Sequence, residues 1–242
     1  MINKKKFLII GRGKWGKKVI NILNDLGEII EIIDSKTSYK KLSKKNIDWA
    51  FVLTNNSSHY KITKYFIENK INVFCEKPLC LNFKKAKKLL DLSKKNKTKI
   101  YVSDIENFKN KKIKILNINN IIRQKLDIDK KNIIFRLFYH DLYLILNNFS
   151  IKNINFLKIQ DSLKGKLIFS FKANNKDFNF FYNLNKKFKI HKINKISFLN
   201  FNNDPLKKMI MNVLLQKVNF IRNNNIALQT LKIIDKIKKN KF

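Results

Sequence analysis

The sequence predicts an α/β protein: a parallel sheet with helices on both faces over residues 1–106, then a smaller α+β domain over residues 107–242 whose sheet is mostly antiparallel. Three observations carry this. Apolar runs of strand length alternate with helix-period patterns from Phe7 to Val102. A glycine turn, Gly11-Arg-Gly13-Lys-Trp-Gly16, joins the first run to the first helix. Further on, Leu167, Phe169 and Phe171 alternate with other residues, as do Phe178, Phe180 and Tyr182, on either side of Asn174-Asn175.

The elements follow in order. Phe7–Ile10 reads as a strand buried on both faces. Behind the glycines, Val19, Leu23 and Leu26 recur at helical spacing, and Gly27 is placed to end that helix. Ile29–Ile33 is a second strand, closed by Asp34, and a lysine-rich polar stretch then runs to Ile47. Trp49–Leu53 is a third strand, ending in the polar loop Thr54–His59, and a helix follows from Ser58 to Glu68. Ile71–Cys75 is a fourth strand and delivers Glu76-Lys77-Pro78. Asn82 caps a helix with Ala86, Leu89 and Leu90 inward, and Ile100–Val102 is a fifth strand. In the second half, strands are expected near 118–123, 153–159 and 188–201, with a helix through His140 crossing them. Pro205 opens a helix reaching Val218, and Ala227, Leu231 and Ile234 mark the last helix, with a solvated basic tail from Lys236.

The glycine spacing has a physical reading. Gly11 makes the tight turn, Gly13 lets backbone approach a pyrophosphate, and Gly16 lets helix pack on strand, as in a Rossmann-type dinucleotide site. Free N–H groups of the first helical turn, from Lys14 and Trp15, then face the phosphates. Asp34 stands at the distance past the glycines at which an acid meets a ribose 2′-hydroxyl. It favours NAD, while Ser35 and Lys36 leave NADP open. In such sheets ligands sit beyond the carboxyl ends of the strands, where Gly11–Gly16, Asp34, Thr54–His59 and Glu76–Pro78 all fall.

The formal charge is +36, from 53 basic and 17 acidic residues. Nucleic acid is the obvious partner for such a chain. Two features argue against it. Only Arg12, Arg123, Arg136 and Arg222 are arginine, the better reader of phosphates and bases, and the lysines are spread over the whole chain. Lys, Asn, Ile and Phe share AT-rich codons, so the charge reads as base-composition drift filling solvated faces. Cys75 and Cys80 flank a candidate active-site motif and form no disulfide framework, which fits a reducing cytoplasm. The apolar run before Gly11 is too short for a signal peptide, and no run approaches a membrane span. No Cys, His and acid spacing suggests a metal site.

In this order the motifs resemble the Gfo/Idh/MocA oxidoreductases, the glucose-fructose oxidoreductase and inositol dehydrogenase group. The matching pieces are Gly11–Gly16, Thr54–His59 and Val73-Phe-Cys-Glu-Lys-Pro-Leu79, then Tyr139-His-Asp-Leu142, Asp204-Pro-Leu206 and Asn225-Ile-Ala-Leu228. The resemblance is dense to Phe108 and thin after it. It implies hydride transfer between a nicotinamide cofactor and a hydroxyl or keto carbon of a sugar, cyclitol or sugar nucleotide; Trp15 and the Tyr-His-Asp-Leu pattern lean toward sugars and sugar nucleotides. It implies cofactor contacts from Gly11, Gly13, Lys14, Trp15, Gly16, Asp34, Thr54, Asn55, His59, Glu76 and Lys77, with His59 either touching the cofactor or only shaping its loop. It makes Lys77 and His140 the catalytic pair, with Glu76 orienting Lys77, and the family uses the second-domain sheet for substrate and for homo-oligomer contacts. Partial burial and neighbouring cations would bring the Lys77 amine toward a working pKa, and the Lys77–Pro78 bond can be cis. His191 reads as structural.

Two departures stand out. Where the family carries an aspartate four residues before the histidine, this chain has Arg136, which can clamp a substrate phosphate or carboxylate or mark lost catalysis. The segment from Lys109 to Phe135 is also shorter than in typical members, so the second domain is reduced. Three functions therefore stand: an NAD(P)-dependent oxidoreductase, a catalytically degenerate nucleotide-binding relative, and a basic nucleic-acid binder.

Overall fold

The computed structural model describes residues 4–34, 39, 46–109, 120–126, 133–149, 155–162, 165–199 and 204–239. These form two compact units, one of residues 1–103 with 206–235, the other of residues 104–205 with 236–242.

The first unit holds a parallel sheet in the order β2-β1-β3-β4-β5, built from β1 Lys6–Ile10, β2 Glu28–Ile33, β3 Trp49–Val52, β4 Asn72–Cys75 and β5 Ile100–Val102. Apart from their first residues Lys6 and Asn72, β1, β3, β4 and β5 are apolar because both faces are covered; Phe7, Phe51, Phe74 and Val102 are fully buried. A ladder of rings crosses this sheet, Phe7 to Phe51 at 5.6 Å, Phe51 to Phe74 at 5.0 Å and Phe74 to Tyr101 at 5.7 Å. β2 lies at the edge, and Ile30 and Ile32 on it are exposed. The helices are α1 Lys14–Asn24, α2 His59–Glu68 and α3 Phe83–Lys95. Asn82 caps α3 as expected, its Oδ1 accepting the Lys85 N–H at 3.1 Å.

Four expectations need correction here. Gly27 does not end α1; the helix closes at Asn24 with Asp25 as cap. Gly27 instead gives room, since a Cβ there would stand 2.4 Å from the Lys5 carbonyl oxygen and 2.5 Å from the Phe7 ring. The last two helices, α5 Pro205–Leu214 and α6 Phe220–Lys239, also do not follow a boundary at residue 106, because residues 206–235 belong to the first unit. Phe220 packs on Trp49 and Tyr101, both at 6.1 Å. The Asn223 amide closes on Val102, accepting from its N–H and donating to its carbonyl, both at 2.9 Å. Asp235 accepts the Phe83 N–H at 2.9 Å. α5 stops at Leu214, short of Val218, where Gln216 turns to φ 56° and the Lys217 N–H reaches back to Asn212 O at 2.8 Å. α6 continues through Lys236 to Lys239, with Ile237 buried, so the basic end is helical rather than a loose tail.

The second unit is a six-stranded sheet in the order β11-β10-β6-β9-β8-β7, antiparallel except for the β6–β9 pair. Its strands are β6 Asn120–Leu126, β7 Asn155–Ser162, β8 Lys166–Ala173, β9 Lys176–Asn183, β10 Asn185–Ile193 and β11 Ile196–Ser197. The expected strand over 188–201 is a hairpin, turning at Asn194 with φ 52°. The β8–β9 turn is as the sequence predicts, with Asn174 at φ 50° and Asn175 at φ 59°. The alternating aromatics face one way. Phe138, ahead of helix α4 Tyr139–Asn148, packs edge-on against Phe169 at 4.9 Å and Phe180 at 5.0 Å. The ends of the expected strands at 118–119 and 153–154, most of the shortened 109–135 segment, and Ser35 and Lys36 lie outside the described residues.

Candidate active site

In the first unit the chain changes direction between β1 and β3, the switch point where a parallel sheet opens a crevice. A cleft of about 730 Å³ sits there. Of the expected cofactor contacts, Gly11, Gly13, Asp34, Thr54 and Asn55 line it, together with Arg12, Tyr39 and Ser58; Lys14, Trp15, Gly16, His59, Glu76 and Lys77 do not. A larger cavity, about 970 Å³, lies by Thr98, Lys99 and Phe220, at the amino end of β5. It holds none of the expected cofactor or catalytic residues and stands at the wrong end of the sheet for a dinucleotide, so the smaller cleft is the candidate site.

The glycines divide the labour physically. Gly11 sits at φ 111°, and a Cβ on it would meet the Leu53 carbonyl oxygen at 2.6 Å. A Cβ on Gly16 would stand 2.2 Å from the Gly11 carbonyl oxygen, so this glycine is what lets α1 start against β1. Around Gly13 a Cβ would meet nothing within 4 Å. Open space at the middle glycine, directly ahead of the N-terminus of α1, is the shape a pyrophosphate needs. The dinucleotide fits these residues.

Around this cleft the neighbouring loops are tied together. Lys14 and Trp15 form the first turn of α1; Lys14 is exposed, and the Trp15 indole donates to Glu76 Oε1. Glu76 therefore fixes Trp15, a role additional to the expected one of orienting Lys77. Lys77 is half-buried at the carboxyl end of β4, and its bond to Pro78 is cis. His59, expected to touch the cofactor or to shape its loop, is fully buried. Its Nδ1 lies 2.7 Å from the Pro78 carbonyl oxygen and its Nε2 3.1 Å from that of Thr54. Burial pushes its pKa down against the two carbonyl bonds, which push it up. Burial likewise raises both thiols, Cys80 to about 11, and both are free cysteines without thiolate character.

In the second unit Arg136 lies in a π-type turn, Ile134–Phe138, that runs into α4, and His140 follows at the start of that helix. Both are half-buried, between buried neighbours Phe135, Leu137, Phe138 and Tyr139. Beside His140 is a feature the sequence reading missed. Asp141, fully buried, accepts from Arg123 Nε at 2.8 and 3.0 Å and from the Tyr182 hydroxyl at 3.0 Å. Arg123 also reaches Glu106 at 3.2 Å, and Lys109 does so at 2.8 Å. His191 Nε2 lies 3.3 Å from Asp141 and its Nδ1 3.8 Å from Glu106. Burial works to raise both carboxyl pKa values, but the Arg123 guanidinium overrides it and holds Glu106 and Asp141 down to about 2. Burial and Arg123 together lower His191, and burial with the Asp141 charge raises Tyr182. The available signal was an acid inside an apolar helix, Tyr-His-Asp-Leu-Tyr-Leu-Ile-Leu, in a chain poor in acids. Among the described residues no cluster of His, Cys, Asp and Glu could hold a metal ion, and no helix is long and apolar enough to cross a membrane.

Fold and cleft define the class: a dinucleotide-binding unit of Rossmann type joined to an α+β unit. Residues 33–104 match the family model described as "Oxidoreductase family, NAD-binding Rossmann fold", the Gfo/Idh/MocA family. The resemblance read from the motifs is thus borne out over residues 33–104, which match an NAD-binding oxidoreductase family. That segment spans Thr54–His59 and Glu76–Pro78; the glycine turn, Gly11–Gly16, lies outside it. No curated protein sequence matches the chain. Among solved structures, a dehydrogenase (MviM) from Clostridium difficile superposes with a TM-score of 0.79 at 17% identity, covering 98% of this chain and 99% of that one. UDP-N-acetylglucosamine 3-dehydrogenase GnnA from Acidithiobacillus ferrooxidans gives 0.76 at 12% identity, covering 96% and 97%. The WlbA (WbpB) dehydrogenase from Thermus thermophilus, in complex with NAD and UDP-GlcNAcA, gives 0.72 at 10% identity, covering 95% and 94%. These likenesses show the fold.

Proposed function

We propose that the protein is an NAD-dependent dehydrogenase that oxidises or reduces a CH–OH carbon of a sugar nucleotide. The observation that carries this reading is the open space at Gly13 between two glycines that tolerate no Cβ, in a cleft that also holds Asp34. The dinucleotide would be held by the N-terminus of α1, by Asp34 at the adenosine ribose and by Thr54 and Asn55. Bound there, it supplies the hydride acceptor or donor. Lys77 moves the proton of the reacting hydroxyl, and His140 contacts that hydroxyl, both roles following from the family resemblance. Arg136 offers a bidentate cation to a substrate phosphate or carboxylate. The sugar-nucleotide class is supported by the fold shared with GnnA and WlbA, one named for UDP-N-acetylglucosamine and the other crystallised with UDP-GlcNAcA.

A titration with NADH and NADPH, followed through tryptophan emission, tests the cofactor half. Trp15 opens α1, so bound NADH quenches it saturably, and Gly13→Val abolishes the quenching. Turnover of UDP-N-acetylglucosamine or its uronic acid with NAD tests the other half. Lys77→Ala then lowers kcat on the order of a hundredfold while NADH binding persists. Arg136, standing where the family has an aspartate, favours a second reading, a nucleotide-binding relative without catalysis. NADH binding without turnover of any sugar nucleotide would establish it.

A further inference from the structure

We propose that His59 is a positioning residue for Lys77: held by α2 beside the Thr54–Ser58 turn of the cofactor loop, it donates from Nδ1 to the Pro78 carbonyl of the Glu76–Lys77–Pro78 turn. The inference rests on the functional reading above for what Lys77 does, and on geometry alone for what His59 does.

The turn that carries Lys77 is held at both ends. On one side the Glu76 carboxylate accepts the Trp15 indole N–H, which anchors it to the first turn of α1. The Glu76 N–H also extends the ladder to Val52 O at 2.9 Å. On the other side the Pro78 carbonyl accepts from His59 Nδ1 at 2.7 Å. Lys77 lies between these two ties. The reference to which His59 is fixed is itself rigid. The Ser58 hydroxyl bridges to Thr54 Oγ1 at 2.7 Å and to Asn55 O at 2.8 Å, and the Ser58 N–H bonds back to Asn55. His59 then opens α2, so its backbone is fixed by that helix. The ring therefore transmits the place of the Thr54–Ser58 turn, which lines the cleft, to the residue next to Lys77. The ring stands between the ends of two adjacent strands, with Nδ1 2.7 Å from the Pro78 carbonyl oxygen and Nε2 3.1 Å from that of Thr54.

Both partners are carbonyls, so each bond needs an N–H from the ring. A neutral imidazole has one, and an imidazolium has two. The charges that face the ring are Glu76, which favours the imidazolium, and Lys77, which opposes it. The shorter contact assigns the single proton of the neutral ring to Nδ1 and so to Pro78, the bond that matters for Lys77.

Side-chain amides separate the two bonds. In His59→Asn the amide nitrogen takes the place of Nδ1 and restores the bond to Pro78; in His59→Gln it takes the place of Nε2 and reaches only toward Thr54. His59→Leu removes both. With NAD and UDP-N-acetylglucosamine, His59→Leu and His59→Gln should lose roughly tenfold to a hundredfold in kcat, as expected for a catalytic group displaced by about 1 Å. The NADH dissociation constant should move less than about threefold, which separates positioning from cofactor contact. His59→Asn should regain most of the lost turnover. A loss that appears wholly in NADH affinity, or an Asn variant as poor as Leu, overturns the proposal. A second readout needs no ligand. The Trp15 indole ¹⁵N–H resonance reports the Glu76 end of the turn; it should shift in His59→Leu and return in His59→Asn. If the wild-type protein binds no NADH, the functional reading fails, and this resonance still decides whether His59 sets the turn: an indole signal indifferent to His59 refutes it.

Discussion

Arg123→Met is the substitution whose consequences are best fixed by the structure. Methionine keeps much of the stem volume and deletes the guanidinium. Two carboxylates then lose their main cation: Asp141 with no exposure and Glu106 with 6%. Glu106 keeps Lys109 at 2.8 Å, and Asp141 keeps the Tyr182 hydroxyl at 3.0 Å but no full charge. Removing one partner of a buried ion pair costs about 3–5 kcal/mol, most of it the penalty of the stranded charge. With a urea slope of about 1.5 kcal/mol/M, the unfolding midpoint of the second unit should fall by about 2–3 M. Trp15 and Trp49 both belong to the first unit, so tryptophan emission is the wrong probe. Hydrogen exchange in β8 and β9, followed by mass spectrometry across a urea series, reads the correct unit. The loss should also depend on pH. Burial and Arg123 both hold the His191 pKa down in the wild type, while Asp141 and Glu106 raise it. Without Arg123, His191 takes a proton at higher pH and becomes the cation beside Asp141. The penalty should therefore be largest near pH 8 and shrink toward pH 5.5. Adding His191→Leu should remove that relief. A penalty below about 1 kcal/mol at pH 8, or one that grows toward acid, would refute the electrostatic account.

Other outcomes follow from the same geometry. Gly13→Val should fold normally, because its side chain enters open space, and lose NADH quenching; Gly16→Ala should instead depress the tryptophan-monitored unfolding midpoint, because its Cβ meets the Gly11 carbonyl. Asp34→Ala should weaken NADH by about tenfold and narrow the gap to NADPH, measured by the same titration. Stability should fall in two stages on acidification. His59 and His191 have pKa values below the ordinary 6.5, so the unfolded chain binds protons more readily and stability declines as pH drops below about 6.5. Glu106 and Asp141, held at about 2 against ordinary values of 4.5 and 3.8, add stability that is complete above those values and is lost as pH falls toward 2. Urea midpoints flat between pH 7 and pH 5 would contradict the first stage.

What the sequence made legible was what local physics determines. A Gly-x-Gly-x-x-Gly turn after a four-residue apolar run specifies strand, loop and helix within a few residues of one another, and each glycine meets its requirement there. The Asn82 cap and the Asn174-Asn175 turn are likewise short-range. The return of residues 206–235 to the first unit was not legible. The apolar stripe Ala227, Leu231 and Ile234 says that α6 buries a face, and all three are fully buried, but it carries no information about which sheet receives that face. The Asp141 cluster was hidden for the same reason. Its members come from a 3₁₀ turn, β6, α4, β9 and β10, and no period connects Glu106, Arg123, Asp141, Tyr182 and His191. His59 was legible as a motif residue that touches the cofactor or shapes its loop; its burial and its nearness to the Pro78 and Thr54 carbonyls were not.

The distribution of charge ties these observations together. Among the described residues, no lysine is buried, although lysine dominates the basic content. An ammonium is a strongly hydrated point charge, so lysine can fill solvated positions freely without touching the core. The buried charges obey a different rule. The cation placed between Asp141 and Glu106 is Arg123, whose planar fork can serve two carboxylates and whose charge survives burial. Arg12 stands in the candidate cleft and Arg136 one turn ahead of His140. In a chain with four arginines, three therefore fall where a bidentate or buried cation has a use. The high positive charge is thus a property of the solvated faces, and the arginines mark the places where lysine would not serve. Arg123→Lys sharpens the point. The positive charge would remain, but one ammonium cannot match the two parallel donors to Asp141 and stay within reach of Glu106. The variant should lose at least about half of the stability that Arg123→Met loses in the same hydrogen-exchange assay. Full retention with lysine would show that charge alone, and not the guanidinium fork, holds the cluster.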